Sequence, residues 1–444
     1  MTASFRTSPT DPDPGRHEKL AKELLRAFQD GDTETARTLL GRHAGLRSLL
    51  DDPLFPFDAP AIVHFAALED TAVLDVLLES GADPNRRSGW WAGGFHALHC
   101  ASGPAAERLL AAGAVPDACA AAHLDRPDLL ARMIEADQAR VHERGGDGQT
   151  PLHFARSRAV ADLLLEAGAD ADARDVDHRS APAQWMLDRR RGRGRYDLAA
   201  YLVERGATAD IFLAAALGLA DRVRDLLADP SRLDLRTTQG EYAEQPPSSY
   251  HIYMWTIGPD LSPLQVAARF EQPAVLEVMH AVASPRQRLL AALAEADSDE
   301  AHGLLGAHPD LLARLEPADA RLLPEAGWAG NTRAVELMLD LGFDPLAIGP
   351  QGGTVLHCAA WEGAAACVQV ILRHAAAPSL VESRDVKYGA TPLGWCCHGS
   401  RHGPRGDHAA VARRLLEAGA RPDPDPGDAS DEVRAVIGAW TRSG

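Results

Sequence analysis

Aromatic residues are scarce in this chain, 5% of its 444 positions, and the β-branched and aromatic runs of a large sheet are missing. That composition points away from a β-rich core. Long apolar runs are missing too. The longest, Ile211 to Ala220, falls well short of the roughly 20 residues needed to cross a bilayer. Positive charge is in deficit, with 45 Lys and Arg against 63 Asp and Glu and a formal net charge of −18. A protein that works by neutralising phosphates is thereby disfavoured, as is one that docks on an anionic membrane. The one basic run, Arg189 to Arg195, reads as a solvated loop. Six cysteines (100, 119, 358, 367, 396 and 397) show no paired CxxC pattern, so reduced and mostly buried thiols are expected. The segment Met1 to Lys19 is polar and Pro-rich, without the apolar core of a signal peptide. A cytoplasmic protein with no nucleic-acid or membrane partner is the expectation. No nucleophile elbow, phosphate-cradling Gly loop, His-Glu-x-x-His or kinase signature occurs either.

What is present is helix-forming composition and internal repetition. The length would ordinarily split into two or three domains, but a repeat array also solves the burial problem, because each unit packs only on its neighbours. The clearest copy opens with Thr150-Pro151-Leu152-His153-Phe154-Ala155 and closes with a Leu-rich stretch ending at Gly168-Ala169-Asp170. Thr150 can cap the free N–H groups of a new helix, and Pro151 lacks the N–H that would be orphaned there. Gly168 can take the left-handed conformation that ends the second helix. Related starts occur at Ala61–His64, His96–His99, Ala181–Gln184, Ser262–Gln265, Thr354–His357 and Thr391–Gly394. Related stops occur at Gly81, Gly113, Gly206 and Gly419.

These paired signals resemble the ankyrin repeat, with a period of about 33 residues and a helix opening on Thr-Pro-Leu-His. The resemblance implies an all-α ankyrin-repeat solenoid of about twelve helix–turn–helix units with protruding loops and one long insertion. The layout is a flexible tail over 1–17, N-terminal capping helices over 18–59 and a first repeat block over 60–236. An insertion loop over 237–261, a second block over 262–424, and a C-terminal cap and tail over 425–444 follow. Gln184, Gln265 and Gly394 depart from the repeat by replacing its His. His64, His99, His153 and His357 keep that place, and the resemblance implies that they hydrogen-bond loops to helix starts.

In this family the first helices and loop tips line the concave groove. Helical spacing puts the residue after each tetrad, and those four and five places on from the tetrad's end, on one face. Trp185, Phe270, Trp328, Trp361, Glu362, Trp395 and His398 occupy such places, while Trp91 and Trp255 lie in loops. Rings gathered on one side suggest a binding groove rather than scattered packing, since Trp and Tyr dominate binding hot spots. The insertion carries Tyr250-His251-Ile252-Tyr253-Met254-Trp255, too aromatic for a disordered linker. His251, Tyr253 and Trp255 are expected to be ordered against the inner helices near Trp185, Phe270 and Trp328, with Trp255 buried. Looser flanks are expected at Thr237–Gln245 and Gly258–Leu261.

Asp175-Val-Asp177-His178 enters the unit starting at Ala181, and His178 stands where Asp147 stands before Thr150. Turn-forming Asp and an exposed ring are the ordinary reading of such a loop. The cluster Cys396, Cys397, His398, His402, Asp407 and His408 has metal-ligand residue types but matches no zinc spacing. No cofactor and no metal is expected. The expected function is a scaffold that binds a protein partner, one with a basic segment suited to the acidic rim. The alternative is a small-molecule binder or unrecognised enzyme whose groove pocket is closed by the 237–261 insertion.

Overall fold

The computed structural model describes residues 14–188, 194–237, 249–258, 261–349, 352–403, 406–422 and 427–443. The described residues form helices, short 3-10 turns and loops, with no strand among them. Twelve helix pairs follow one another among these residues, from Pro14–Gln29 with Thr33–Arg42 to Pro392–His402 with His408–Glu417. The helix Asp431–Ser443 closes the series. This is the all-α solenoid that the repeated start and stop signals imply.

The chain divides into two compact units, one of Met1–Leu213 with Thr237–Gly258 and one of Ala214–Arg236 with Pro259–Gly444. In the first, Ala118–His123 packs on Pro151–Phe154 while Pro127–Ala136 packs on Arg158–Glu166. In the second, Leu322–Trp328 packs on Val355–Trp361, which packs on Pro392–His402, and the partner helices Thr332–Asp340, Ala365–Arg373 and His408–Glu417 form a parallel row. First helices thus stack on first helices and second on second. Leu74, Leu77, Leu98 and Leu109 are sealed between pairs in the first unit, and Leu356, Val368, Ile371 and Leu415 in the second. Each such side chain contributes about 1.5–3 kcal/mol by leaving water.

The helix starts obey the chemistry of their motif. The Thr150 N–H donates to His153 Nδ1 at 3.1 Å, and His153 Nε2 meets the Ser180 carbonyl of the next loop at 3.0 Å. Thr354 and His357 repeat this, with His357 Nε2 3.1 Å from the Ala390 carbonyl. Where Gln replaces His the amide does the same work: the Ala181 N–H donates to Gln184 Oε1 at 2.8 Å, and the Ser262 N–H to Gln265 Oε1 at 2.7 Å. His64 is different. Its helix is capped by Pro60, one place early, and its ring stacks on Phe55 at 4.4 Å. The stops are equally regular: Gly168 has φ +96°, and Gly81, Gly113, Gly206 and Gly419 lie between +94° and +105°.

The basic run is not simply a solvated loop. Arg189 to Arg193 fall outside the described residues, but Arg195 is half-buried and donates to the carbonyls of His153 and Ala155. The helix Pro151–Phe154 is only four residues long, so carbonyls at its end have no following helical turn to accept from, and the guanidinium donates to those of His153 and Ala155.

Candidate functional site

In the second unit, three first helices each carry a Trp, at the last position of Leu322–Trp328 and of Val355–Trp361 and in the first turn of Pro392–His402. The Trp328 and Trp361 rings are near parallel, 14° apart with centroids separated by 6.2 Å. Trp395 stands across both, at 90° and 6.1 Å from Trp328 and at 77° and 6.2 Å from Trp361. Edge-to-face and offset arrangements of this kind suit the quadrupoles of aromatic rings. With Tyr388, Ala390, Gly394 and His398 the three indoles line an apolar cleft of about 390 Å³. Trp328 also lines an adjoining recess of about 160 Å³ with Arg269, Glu295 and Glu325. His398 and Gly394 open in turn onto one of about 580 Å³ lined by Glu382, Arg384, Arg421 and Asp428. The cleft thus shares Trp328 with the first recess and Ala390, Gly394 and His398 with the second.

Trp395 is held in place from the loop before its helix. Its indole N–H donates to Asp385 Oδ2 at 2.9 Å. The same carboxylate accepts the backbone N–H groups of Lys387, Tyr388 and Ala390. Burial pushes the Asp385 carboxyl up, but these donors outweigh it and hold it below the ordinary range. The loop tip is thus clamped, and Tyr388 projects from it, 68% exposed. Glu362 follows Trp361 at the helix end, half-buried, with no ion-pair partner among the described residues. Burial pushes its carboxyl up to about 7. His398 is exposed, and its ring lies 5.4 Å from Trp361. Phe270 is half-buried at the C-terminal cap of Pro263–Arg269 and lines none of these three recesses.

The first unit gathers a second set of the singled-out residues. The Trp185 indole donates to Asp175 Oδ2, and its ring meets His178 edge-on at 5.2 Å. Asp175 also accepts the N–H groups of His178 and Ser180. Asp147, Asp175, Asp177 and His178 are all buried, which corrects the expectation of an exposed turn. The reason is the insertion. Its described part, the 3-10 turn Ser249–His251 and the helix Ile252–Thr256, covers this corner. The His251 ring stacks on His178 at 6.1 Å and 24°. Tyr253 is wholly buried, donates to Asp210 Oδ2 at 2.8 Å and packs on Phe212. Asp210 in turn accepts from Gln184 Nε2 at 2.8 Å.

The tip of the insertion is therefore ordered, but with Tyr253 rather than Trp255 as its anchor. Trp255 is 47% exposed, which corrects its expected burial. On the short helix Ile252–Thr256 only one face points inward, and Ile252, Tyr253 and Thr256 occupy it. Phe270 and Trp328 belong to the second unit, whereas Trp185 lies in the same unit as the tip. Of the expected loose flanks, 238–245 and 259–260 lie outside the described residues. Trp91 is 63% exposed beside Trp90, whose indole donates to Asp147 Oδ1 at 3.0 Å.

Crowding of like charges marks this corner. Burial, with repulsion from Asp177 and Asp175, pushes the Asp147 carboxyl up to about 8. Burial likewise pushes Asp175 up to about 6, against its three donors. The Asp175 and Asp385 carboxylates each hold a first-helix indole, a pairing that motif reading did not assign. The signal that finds them is an Asp ten residues before a first-helix Trp, present at 175/185 and 385/395.

Stacked helix pairs with left-handed glycine stops define a helical-repeat protein. Residues 147–176 match the family model of the ankyrin repeat. No curated protein matches the chain. Among solved structures it is similar to the ankyrin repeat domain of Bcl-3, described as a unique member of the IkappaB protein family. That similarity is 18% identity over 52% of this chain and 98% of that chain, with a TM-score of 0.30. Ankyrin repeats generally serve as scaffolds for protein–protein interaction. Among the described residues no helix is long and apolar enough to cross a membrane.

Proposed function

We propose that this chain is an interaction scaffold that grips a segment of a partner protein in the Trp328–Trp361–Trp395 groove, and that the gripped segment is basic. The observation carrying this reading is the run of three neighbouring recesses. The indole cleft borders one recess at Trp328 and another at Gly394 and His398, a layout that suits an extended polypeptide better than a compact small molecule. Stiff indoles supply contact area at low entropic cost, and such rings dominate binding hot spots. The charge of the segment follows from Glu325, inside the helix Leu322–Trp328, and Glu362, at the end of Val355–Trp361, both within electrostatic reach of the same Cys358 thiol. A cationic side chain laid on the indole faces gains cation–π attraction and gives the half-buried Glu362 a counter-charge.

Arrays of short peptides, basic, acidic and neutral, probed with the intact chain test this directly. Basic peptides are expected to be retained by the parent and by Trp91→Ala, and lost with Trp361→Ala. Because Glu362 titrates at about 7 in the folded chain, retention is expected to strengthen as pH rises through 7. Glu362→Gln should flatten that dependence. Retention of acidic peptides, or equal retention by Trp361→Ala, would overturn the reading.

A further inference from the structure

We infer that Asp147, Asp177 and His178 of the first unit form a binding site for a divalent transition-metal cation of the zinc type, with the His251 ring of the insertion stacked beside His178. Asp147 comes from one loop tip, Asp177 and His178 from the next, and His251 from a segment more than seventy positions further along the chain. All four are buried. One ligand atom from each of Asp147, Asp177 and His178 lies within 4.8 Å of the others.

The spacing of the ligand atoms suits a metal ion. His178 Nδ1 lies 3.4 Å from Asp177 Oδ2. A charge-assisted hydrogen bond would be shorter, about 2.7–2.9 Å. A separation near 3.4 Å is the edge of a tetrahedron whose arms are about 2.0–2.1 Å, the usual zinc–nitrogen and zinc–oxygen distance. The stacked His251 ring brings a second imidazole to the same corner. Two carboxylates balance a doubly charged ion, and the imidazole nitrogens select a transition metal over magnesium or calcium, which prefer oxygen alone.

The surroundings are built as an outer shell. Trp90 Nε1 donates to Asp147 Oδ1 at 3.0 Å, orienting that carboxylate, and Asp175 fixes the loop of His178 through the His178 N–H at 2.8 Å. Hydrogen-bonded supports of this kind hold metal ligands in position. The two loops are also tied to each other, since the Val176 and Asp177 N–H groups both donate to the Asp147 carbonyl, at 2.9 and 3.2 Å. A Cβ on Gly148 would lie 2.3 Å from Val176, so the loops meet without slack.

Two other groups of ligand-type residues occur among the described residues. In the set His99, Asp117 and Cys119, both His99 nitrogens are already bonded, Nδ1 to the His96 N–H and Nε2 to Asp117. The set His398, His402 and Asp428 is exposed on all three members.

The test is metal binding by the full chain. Protein dialysed against a chelator is titrated with Zn²⁺, and the thermal midpoint and bound metal are measured. One equivalent should bind, raising the midpoint, and excess Mg²⁺ should not displace it. Asp177→Asn with His178→Gln should weaken binding more than about ten-fold, since even outer-shell changes cost about 10–100-fold in metal affinity. His398→Gln with His402→Gln should leave the single equivalent in place. Co²⁺ added to the unaltered chain gives a second reading that does not depend on a variant folding. It should give the intense visible bands of four-coordinate nitrogen and oxygen ligation, altered by His251→Ala. Absence of stoichiometric Zn²⁺ binding, six-coordinate Co²⁺ bands, or binding lost only with the His398/His402 change would each overturn the assignment.

Discussion

Two stretches of this chain are built on the same plan and end in opposite environments. Asp175 to Trp185 and Asp385 to Trp395 each run from a loop Asp, over a tip, to a first-helix Trp whose indole N–H returns to that Asp. His178 and Tyr388 hold the same place at the two tips, three residues before the helix start. In the first unit the insertion covers the tip, His178 is buried, and the Asp175 carboxyl is pushed up to about 6 by burial and then by Asp177, against its donors. In the second unit Tyr388 stands in solvent, the indole opens onto a groove, and the Asp385 carboxyl is held below its usual range by four donors. One local device thus serves either a sealed polar corner or an open aromatic surface. What covers the tip decides which.

The largest expected effect comes from removing the clamp of the open copy. Asp385→Ala strands the N–H groups of Lys387, Tyr388, Ala390 and the Trp395 indole, and should cost about 3–4 kcal/mol, given about 1–3 kcal/mol per stranded buried group. Asp175→Ala should cost less, about 1–2 kcal/mol, because it also removes a like charge from the crowded corner. Urea denaturation of the two variants measures the difference, and equal losses would break the comparison.

Glu362→Gln should act in the other direction. The Glu362 carboxyl titrates at about 7 when folded and at about 4.3 when unfolded, so the folded chain holds the extra proton between those values. Stability therefore falls as pH rises across that window. The variant should be more stable than the parent by about 1–3 kcal/mol above pH 7 and no different below pH 4, by denaturation at both pH values.

Stop glycines provide the control, since the two units should respond alike. Gly168→Val and Gly419→Val each force a β-branched residue into left-handed backbone, at φ +96° and +99°, with open space around the new side chain. Each should cost about 1–2 kcal/mol by denaturation. The smallest effect is expected at the cover of the sealed copy. Tyr253→Phe removes one hydrogen bond to Asp210, which keeps Gln184 and the N–H groups of Phe212 and Leu213, and should cost about 1 kcal/mol.

Much of the architecture is legible in the sequence, because ankyrin signals are local. Thr150 to His153 states a helix start within four residues, and Gly168 states a stop in one. Even the substituted starts are readable, because Gln184 and Gln265 present an amide oxygen where His presents Nδ1. Trp328, Trp361, Trp395 and His398 are singled out by that register, and all four line one apolar cleft. What escapes is whatever depends on distant chain. His178 reads as an exposed turn residue until His251 is laid over it, and no local pattern announces that cover. The choice of Tyr253 over Trp255 as anchor depends on which face of a five-residue helix meets Asp210 and Phe212. The pairing of Asp175 with Trp185 spans a whole loop, so it appears only when the 175–185 and 385–395 stretches are set side by side.

The central claim, that the open copy is the partner-binding surface, is tested most directly by the affinity of one retained basic peptide for three chains at pH 8. Trp361→Ala should weaken binding about 30-fold or more relative to the parent, the loss of a hot-spot residue of about 2 kcal/mol. Trp91→Ala, which removes an exposed indole from the first unit, should leave it unchanged. A larger loss with Trp91→Ala than with Trp361→Ala would contradict the account.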